Sequence, residues 1–378
     1  MSSHRGATVL AVAALLSIVV APVSTASNAR PLIRWLQMTD AVHGYALGGQ
    51  DPEAYRLLRT SDGGRSWRDI TPGGGTIHPS APLTIVGRRT RLFSTTLRPG
   101  IFAVERSDDG GRTWRESLPF GDRRELGIGQ PFAIDARHLY VALDEGAAAG
   151  SSGQALYVSG DGGHAWRFVS RTSVSGRGSP PALPFGCDKN GYGFSTPTRG
   201  WAGGYCAGGP AFLYRTVDGG RTWRRQHLAA PALCACETSA PRFFTASTGA
   251  LYVQGFPANG GDTSFLRFYW TSDDGAHWRA SDPHAGRASM AISLPDAGTA
   301  WVATTRPGTL RGPYNRLVRT SDAGRHWQTL TLPFDTANDR FDVVNATVAY
   351  AFDAVNRSSS IRVTHNGGRS WQTIHATE

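Results

Sequence analysis

The segment Thr60-Ser-Asp-Gly-Gly-Arg-Ser-Trp67 recurs six more times along this 378-residue chain, and that recurrence limits the possible folds to very few. The later copies end at Trp114, Trp166, Trp223, Trp278, Trp327 and Trp371, at successive steps of 47, 52, 57, 55, 49 and 44 residues. Five residues before each Trp stands an acid or its amide: Asp62, Asp109, Asp161, Asp218, Asp273, Asp322 or Asn366. Repeats of that period mean a propeller or a solenoid, in which one unit buries its apolar face only against the next.

Each copy separates two short apolar runs with strand character, such as 55–59 and 67–70 around the first. Ser/Thr-x-Asp-Gly-Gly between strands is hairpin chemistry. The carboxylate accepts backbone N–H groups inside the turn, and glycine supplies φ > 0 without a Cβ clash. The Trp that leaves the turn buries a large ring, and its indole N–H needs one partner. Six carboxylates and one amide could suggest seven metal or catalytic sites, but each stands alone among glycines, without the converging partners that acid–base chemistry needs. Asn366 in the last copy fits hydrogen bonding better than ionic chemistry. The acids and tryptophans are read as structural, with no metal and no cofactor expected.

The pattern S/T-x-D-G-G-x-T/S-W resembles the Asp-box, or BNR, repeat of sialidases and of YVTN/BNR-like propellers, over about residues 31–378. Met38-Thr-Asp-Ala-Val-His-Gly-Tyr-Ala-Leu-Gly-Gly49 and Pro197-Thr-Arg-Gly-Trp-Ala-Gly-Gly204 are similar to blade starts of photosystem II stability/assembly factor-like proteins. The expected fold is all-β: a single seven-bladed β-propeller of four-stranded antiparallel blades, with an Asp box at the hairpin joining strands three and four of each. At about 40–50 residues per blade this uses the whole chain after its first 29 residues. The first and last blades each own four strands, so side-chain packing rather than strand exchange is expected to close the ring.

Residues 1–29 read as a secretory signal peptide: Arg5, an uncharged apolar run from Ala7 to Ala21, and small residues for cleavage after Ala26 or Ala29. The propeller then occupies 30–378, in a secreted or extracytoplasmic protein (periplasm or cell surface) with no later transmembrane segment. The formal net charge is +10, carried by arginine and the single Lys189. Arginines in or just after the boxes (Arg65, Arg68, Arg112, Arg115, Arg221, Arg224, Arg225, Arg279, Arg325, Arg369) are expected to ring the rim. Such a diffuse field suits an anionic cell-surface polymer, and no nucleic-acid-binding motif is present. Cys187, Cys206, Cys234 and Cys236 fit two disulfides, with three pairings open. The C-x-C spacing suits zinc poorly.

Loops between strands two and three, and between blades, open on the face away from the boxes. The cysteines and the long insertions 145–153, 173–186, 257–263 and 306–314 are placed there, where function collects over a rigid scaffold. The resulting reading is a non-catalytic propeller that binds a protein or glycan ligand through this face. Phe185, Tyr192, Trp201, Tyr205 and Phe256 are candidates for an aromatic patch, although Trp201 also reads as blade filler. The family resemblance implies an alternative, a sialidase-like exo-glycosidase. Sialidases pair an Arg-Ile-Pro motif with two further arginines, a Tyr nucleophile with its Glu partner, and an Asp acid. Here Ile33-Arg34-Trp35 stands in place of that motif, Arg306, Arg311 and Tyr314 share one loop, and Glu237 is the candidate partner of the Tyr. Asp51, Glu53, Asp144 and Glu145 are further loop carboxylates. No spacing establishes two groups held across a glycosidic bond, and no Walker loop, nucleophile elbow or HExxH is present. A photosystem assembly role, implied by the blade starts alone, requires a photosynthetic host.

Overall fold

The computed structural model describes residues 31–49, 55–72, 82–148, 150–172, 182–184, 186–206, 211–229, 234–257, 265–284, 286, 288–307, 313–337, 340–355 and 358–377. Residues 1–29, expected to be a signal peptide, and Asp51, Glu53, Phe185 and Arg311 lie outside them. Every described regular element is a strand apart from one short turn, and no α-helix occurs among the described residues.

Seven antiparallel sheets follow one another as meanders. Blade one is Leu32–Met38, Gly44–Gly49, Arg56–Thr60 and Arg68–Asp69; blade two is Thr84–Val86, Thr90–Arg98, Ile101–Ser107 and Arg115–Glu116. Blade three opens with a split first strand, Gly127–Ile128 and Phe132–Ala133, followed by Leu139–Ala148, Ser151–Ser159 and Arg167–Arg171. Blade four is Cys187–Phe194, Gly200–Cys206, Ala211–Thr216 and Arg224–Gln226. Blade five splits again, into Cys234–Thr238 and Arg242–Phe243, before Gly249–Pro257, Phe265–Thr271 and Arg279–Ser281. Blade six is Ala288–Ser293, Ala300–Thr304, Arg316–Thr320 and Gln328–Thr331; blade seven is Arg340–Val343, Ala349–Val355, Ser358–Thr364 and Gln372–Thr377. First strands of neighbouring blades approach one another, as Leu32–Met38 and Ala288–Ser293 both do Arg340–Val343. They therefore line the axis, where a propeller has its channel.

The repeated turn is built alike in all seven blades. Its leading hydroxyl (Thr60, Ser107, Ser159, Thr216, Thr271, Thr320 or Thr364) donates to Oδ1 of the acid or amide at 2.7–3.0 Å. The same oxygen accepts the N–H of the second glycine, for example Gly64 at 2.9 Å and Gly111 at 2.7 Å. Oδ1 then accepts the N–H of the residue just before the Trp, as with Ser66 at 2.9 Å and Thr222 at 2.9 Å. An unpaired backbone group in such a tight turn would be costly, and one side chain satisfies several at once.

The first glycine of the turn has φ of 72–79° in five copies, but the fifth and sixth put Asp274 (φ 57°) and Ala323 (φ 58°) there. A left-handed non-glycine residue costs about 1–2 kcal/mol. Asp274 recovers part of this by accepting Ser195 Oγ at 2.5 Å and pairing with Arg199 of blade four. The Ala323 methyl has no such polar partner, so Ala323→Gly is expected to stabilise the protein by about 1 kcal/mol. Asp274→Gly gains nothing net, because it loses the interblade latch. Paired urea titrations of the two variants check this contrast, and equal shifts would contradict it.

Each turn Trp plugs the seam between its own blade and the preceding one, and seven apolar clusters fill the seven seams. Trp223 is buried with Tyr140, Leu156, Tyr192, Phe194 and Ala202 between blades three and four. Trp67 packs against Ile33, Leu58, Tyr350, Ile361 and Ile374 between blades one and seven. That last cluster closes the ring as expected, with no strand exchanged. Polar contacts reinforce it: Ile33 N–H to Ser359 Oγ at 3.0 Å, Tyr350 OH to the Ala41 carbonyl at 2.9 Å, and His375 Nε2 against the Pro31 carbonyl at 2.9 Å. The expectation that every indole N–H is partnered holds only in part. Trp114, Trp327 and Trp371 donate to Ile70 O, Ser281 Oγ and Gly368 O, whereas the N–H groups of Trp67, Trp166 and Trp278 meet no partner among the described residues. Ring packing, not hydrogen bonding, sets their orientation.

Candidate functional site: a recess in the channel wall

Strand irregularities on the axis place the candidate residues. Registers shift between Ile33 and Trp35 in blade one and between Lys189 and Gly191 in blade four, leaving Arg34 and Asn190 as the extra residues. A bulge of this kind re-aims a side chain without ending the strand. In blade five the first strand breaks at Ser239–Ala240–Pro241, and its two halves carry Glu237 and Arg242.

These features meet in a recess of about 350 Å³ between blades four, five and six, lined by Asn190, Glu237, Ser239, Arg242, Tyr252 and Ile292 among others. Its carboxylate is held on both oxygens: Glu237 Oε1 accepts Gln254 Nε2 at 2.7 Å, and Oε2 accepts Asn190 Nδ2 at 3.4 Å. Asn190 Nδ2 also donates to the Thr238 carbonyl at 3.0 Å. Burial, with the Glu237 charge added, pushes the Tyr252 phenol up to about 12, so it stays a neutral donor at physiological pH. Arg242 keeps water-accessible surface, yet the protein around it lowers its pKa by desolvation against the pull of Asp342 and Asp296. An accessible guanidinium inside dense protein is what a narrow, wet channel produces.

Across the channel, Asp342 of blade seven accepts the N–H of Met38. Burial pushes its carboxyl up to about 7, against the opposing pull of that N–H and of Arg242. Burial of this carboxyl is costly even with Arg242 offsetting part of it, it stands away from the repeat's structural residues, and such displaced groups cluster at functional sites.

Glu237 is the only one of the sialidase-like candidates among the described residues lining this recess. Arg34 stands on the first strand of blade one. Arg306 is exposed just beyond Ala300–Thr304. Tyr314 is pinned to the connection into blade seven: its N–H donates to Asp335 Oδ1 at 2.9 Å, and its carbonyl accepts Thr336 N–H at 3.1 Å. Asp144 and Glu145 lie in a strand rather than a loop, and Glu145 is paired with Arg171, which also binds Glu125 at 2.9 Å and Asp122 at 3.2 Å.

The expected aromatic patch is largely absent among the described residues. Tyr192 and Trp201 are buried in the clusters on opposite faces of blade four, because neighbouring blades cover both faces of its sheet. Tyr205 remains half-buried, while the side chain of Phe256 lies outside the described residues. All ten rim arginines named from the repeats are exposed.

The cysteines sit on strands rather than in loops. Cys187 and Cys206 are bonded to each other across the first two strands of blade four, with Cα atoms 4.1 Å apart, and Cys236 is also disulfide-bonded. The side chain of Cys234 lies outside the described residues. Lys189 is buried beside this bridge, where its ammonium donates to the Cys187 carbonyl at 2.7 Å and to that of Ser152; burial lowers its pKa to about 8.

Sequence reasoning missed Asn190, Arg242, Tyr252 and Asp342 as site residues. The signal that could have found three of them is an ionisable or amide residue on the first strand of a blade, the strand that faces the axis.

No protein-family profile matches the chain, and no curated protein matches it. Solved structures do resemble it. One is a prolyl endopeptidase, from a study of two such enzymes and the role of their inter-domain dynamics, with a TM-score of 0.57 at 11% identity over 92% of this chain and 50% of that one. Another is a polysaccharide lyase of family PL25, an ulvan lyase, with a TM-score of 0.51 at 12% identity over 91% and 96% of the two chains. YCF48 bound to D1 peptide gives a TM-score of 0.49 at 14% identity over 90% and 91%. At such identities the likeness shows the fold and nothing finer. The chain is an all-β, seven-bladed β-propeller, a fold shared by proteins of unrelated chemistry.

Proposed function

We propose that the protein is an extracytoplasmic, non-catalytic binding propeller that takes a protein or glycan ligand into the channel from the face opposite the repeated turns. The observation that carries this reading is the state of Glu237. It is the one carboxylate among the described lining residues of the recess, and amide donors from Asn190 and Gln254 already occupy both its oxygens. A carboxylate so held is a fixed recognition element, whereas glycoside hydrolysis generally uses two groups at a set separation across the bond. Arg242, Asn190 and Tyr252 add donors on rigid strands, and Ile292 and Leu294 add an apolar wall, the mixture typical of a ligand pocket. The Cys187–Cys206 bond is compatible with an oxidising compartment.

Purified protein lacking residues 1–29 is expected to turn over neither a fluorogenic sialoside nor a panel of other aryl glycosides while melting cooperatively. Turnover that Glu237→Gln abolishes would replace this reading with the glycosidase one.

A further inference from the structure

The repeated turn is complete in six copies and incomplete in the third. Oδ2 of the acid accepts a hydroxyl from Ser66 at 2.5 Å, Thr113 at 2.7 Å or Thr222 at 2.6 Å, and an imidazole nitrogen of His277 or His326 at 2.6 Å. In the last copy Asn366 Nδ2 donates to Ser370 Oγ at 2.8 Å. In blade three the corresponding residue is Ala165, and all three hydrogen bonds to Asp161 fall on Oδ1: Ser159 Oγ at 2.7 Å, His164 N–H at 3.0 Å and Ala165 N–H at 3.1 Å. Oδ2 of Asp161 has no partner among the described residues.

Asp161 stands in the wall of a groove. Between the turns of blades three and four lies a cleft of about 550 Å³, lined by His138, Tyr140, Asp161, Trp166, Arg167 and Arg221 among others. It is on the turn face, opposite the entrance proposed for the channel ligand. The two guanidinium groups act on the Tyr140 phenol from within the groove, both pulling its pKa down against burial. The phenol itself is fixed to the Pro197 carbonyl at 2.5 Å. The groove therefore offers two exposed cations, Arg167 and Arg221, beside two carboxylates. The oxygens of the Asp218 carboxylate are taken by Thr222, and the Asp218 main-chain carbonyl accepts Arg221 Nη1 at 2.8 Å, whereas Asp161 has one oxygen unpartnered among the described residues.

We propose that this groove is a second binding site, for an acidic saccharide. The ligand's carboxylate pairs with Arg167 and Arg221, and a neighbouring ring hydroxyl donates to Asp161 Oδ2. Arginine suits the first contact through its planar, bidentate donor fork. The second contact takes the place that a Ser, Thr or His side chain fills in five other turns.

The test is isothermal titration of the protein with a tetragalacturonate, and with the fully methyl-esterified tetramer, which lacks the charge. The expected result is binding of the acid and at least about tenfold weaker binding of the ester, the loss expected for one charge-assisted contact. Arg167→Ala and Arg221→Ala should each weaken the acid by about tenfold. Ala165→Thr supplies the hydroxyl found at Thr113 and Thr222. It should raise the melting temperature while weakening binding, a combination that damage to the fold does not produce. Glu237→Gln in the channel should leave this binding unchanged, so failure here is separable from failure of the channel reading. Absence of tetragalacturonate binding at millimolar concentration, equal binding of acid and ester, or affinity indifferent to Ala165→Thr and both arginine variants would each overturn the proposal.

Discussion

Asp342→Asn should leave stability near pH 4 almost unchanged and raise it at pH 8 by roughly 4 kcal/mol, the free-energy equivalent of the carboxyl's displacement from 3.8 to about 7. Between those values the unfolded chain has released the Asp342 proton while the folded protein still holds it. Stability attributable to this group is therefore full below about 3.8, falls as pH rises towards 7, and is flat above that. An asparagine has no proton to release, and its carbonyl oxygen can still accept the Met38 N–H. Urea titrations of both proteins from pH 4 to 8 should diverge steadily with pH. Parallel curves would show that Asp342 is not held in the protonated form by its surroundings.

Trp223→Ala should be among the most destabilising single substitutions in the chain, at about 3–5 kcal/mol. Trp223 is 2% exposed. Its ring centroid lies 5.8 Å from Tyr192 and 6.3 Å from Phe194, both of the same blade, and Leu156 of blade three closes the other side of the seam. No strand pairing joins neighbouring blades among the described residues, so a cavity here cannot be relieved by shifting a strand without opening the seam. The half-buried Trp67 should cost less when truncated. Urea midpoints for the two variants measure the difference. A loss below about 1 kcal/mol for Trp223→Ala would contradict its role as a seam plug.

The blades were legible in the sequence because the same turn solves the same local problem seven times. A Ser or Thr, an Asp two residues on, two glycines and a Trp at fixed spacing leave little freedom in backbone or packing. Closure was legible for a related reason, since four strands could be counted in both terminal blades. Legibility failed on the first strands of blades three to five. Gly127–Ile128 is too short and too poor in apolar residues to announce a strand. Cys187–Phe194 and Cys234–Thr238 begin well before the apolar alternation does, because Lys189 and Asn190 occupy the leading half of the first and Glu237 stands near the end of the second. Polar residues belong on strands that line a wet axis, but in sequence they read as loop. The channel residues were thus hidden by the property that makes them useful. The Asp161 groove was hidden differently: the substitution of Ala165 in the turn is visible in sequence, but its consequence depends on where Arg167 and Arg221 lie around it.

The measurement that tests the central claim most directly is binding of the protein lacking residues 1–29 to a combined glycan and peptide array, with Asn190→Ala and Glu237→Gln alongside. The account predicts that at least one ligand class retained by the wild type is lost by both channel variants, with melting temperatures within a few degrees of the parent. If every ligand bound by the wild type were retained equally by both channel variants, the account would be contradicted and recognition would move away from the channel.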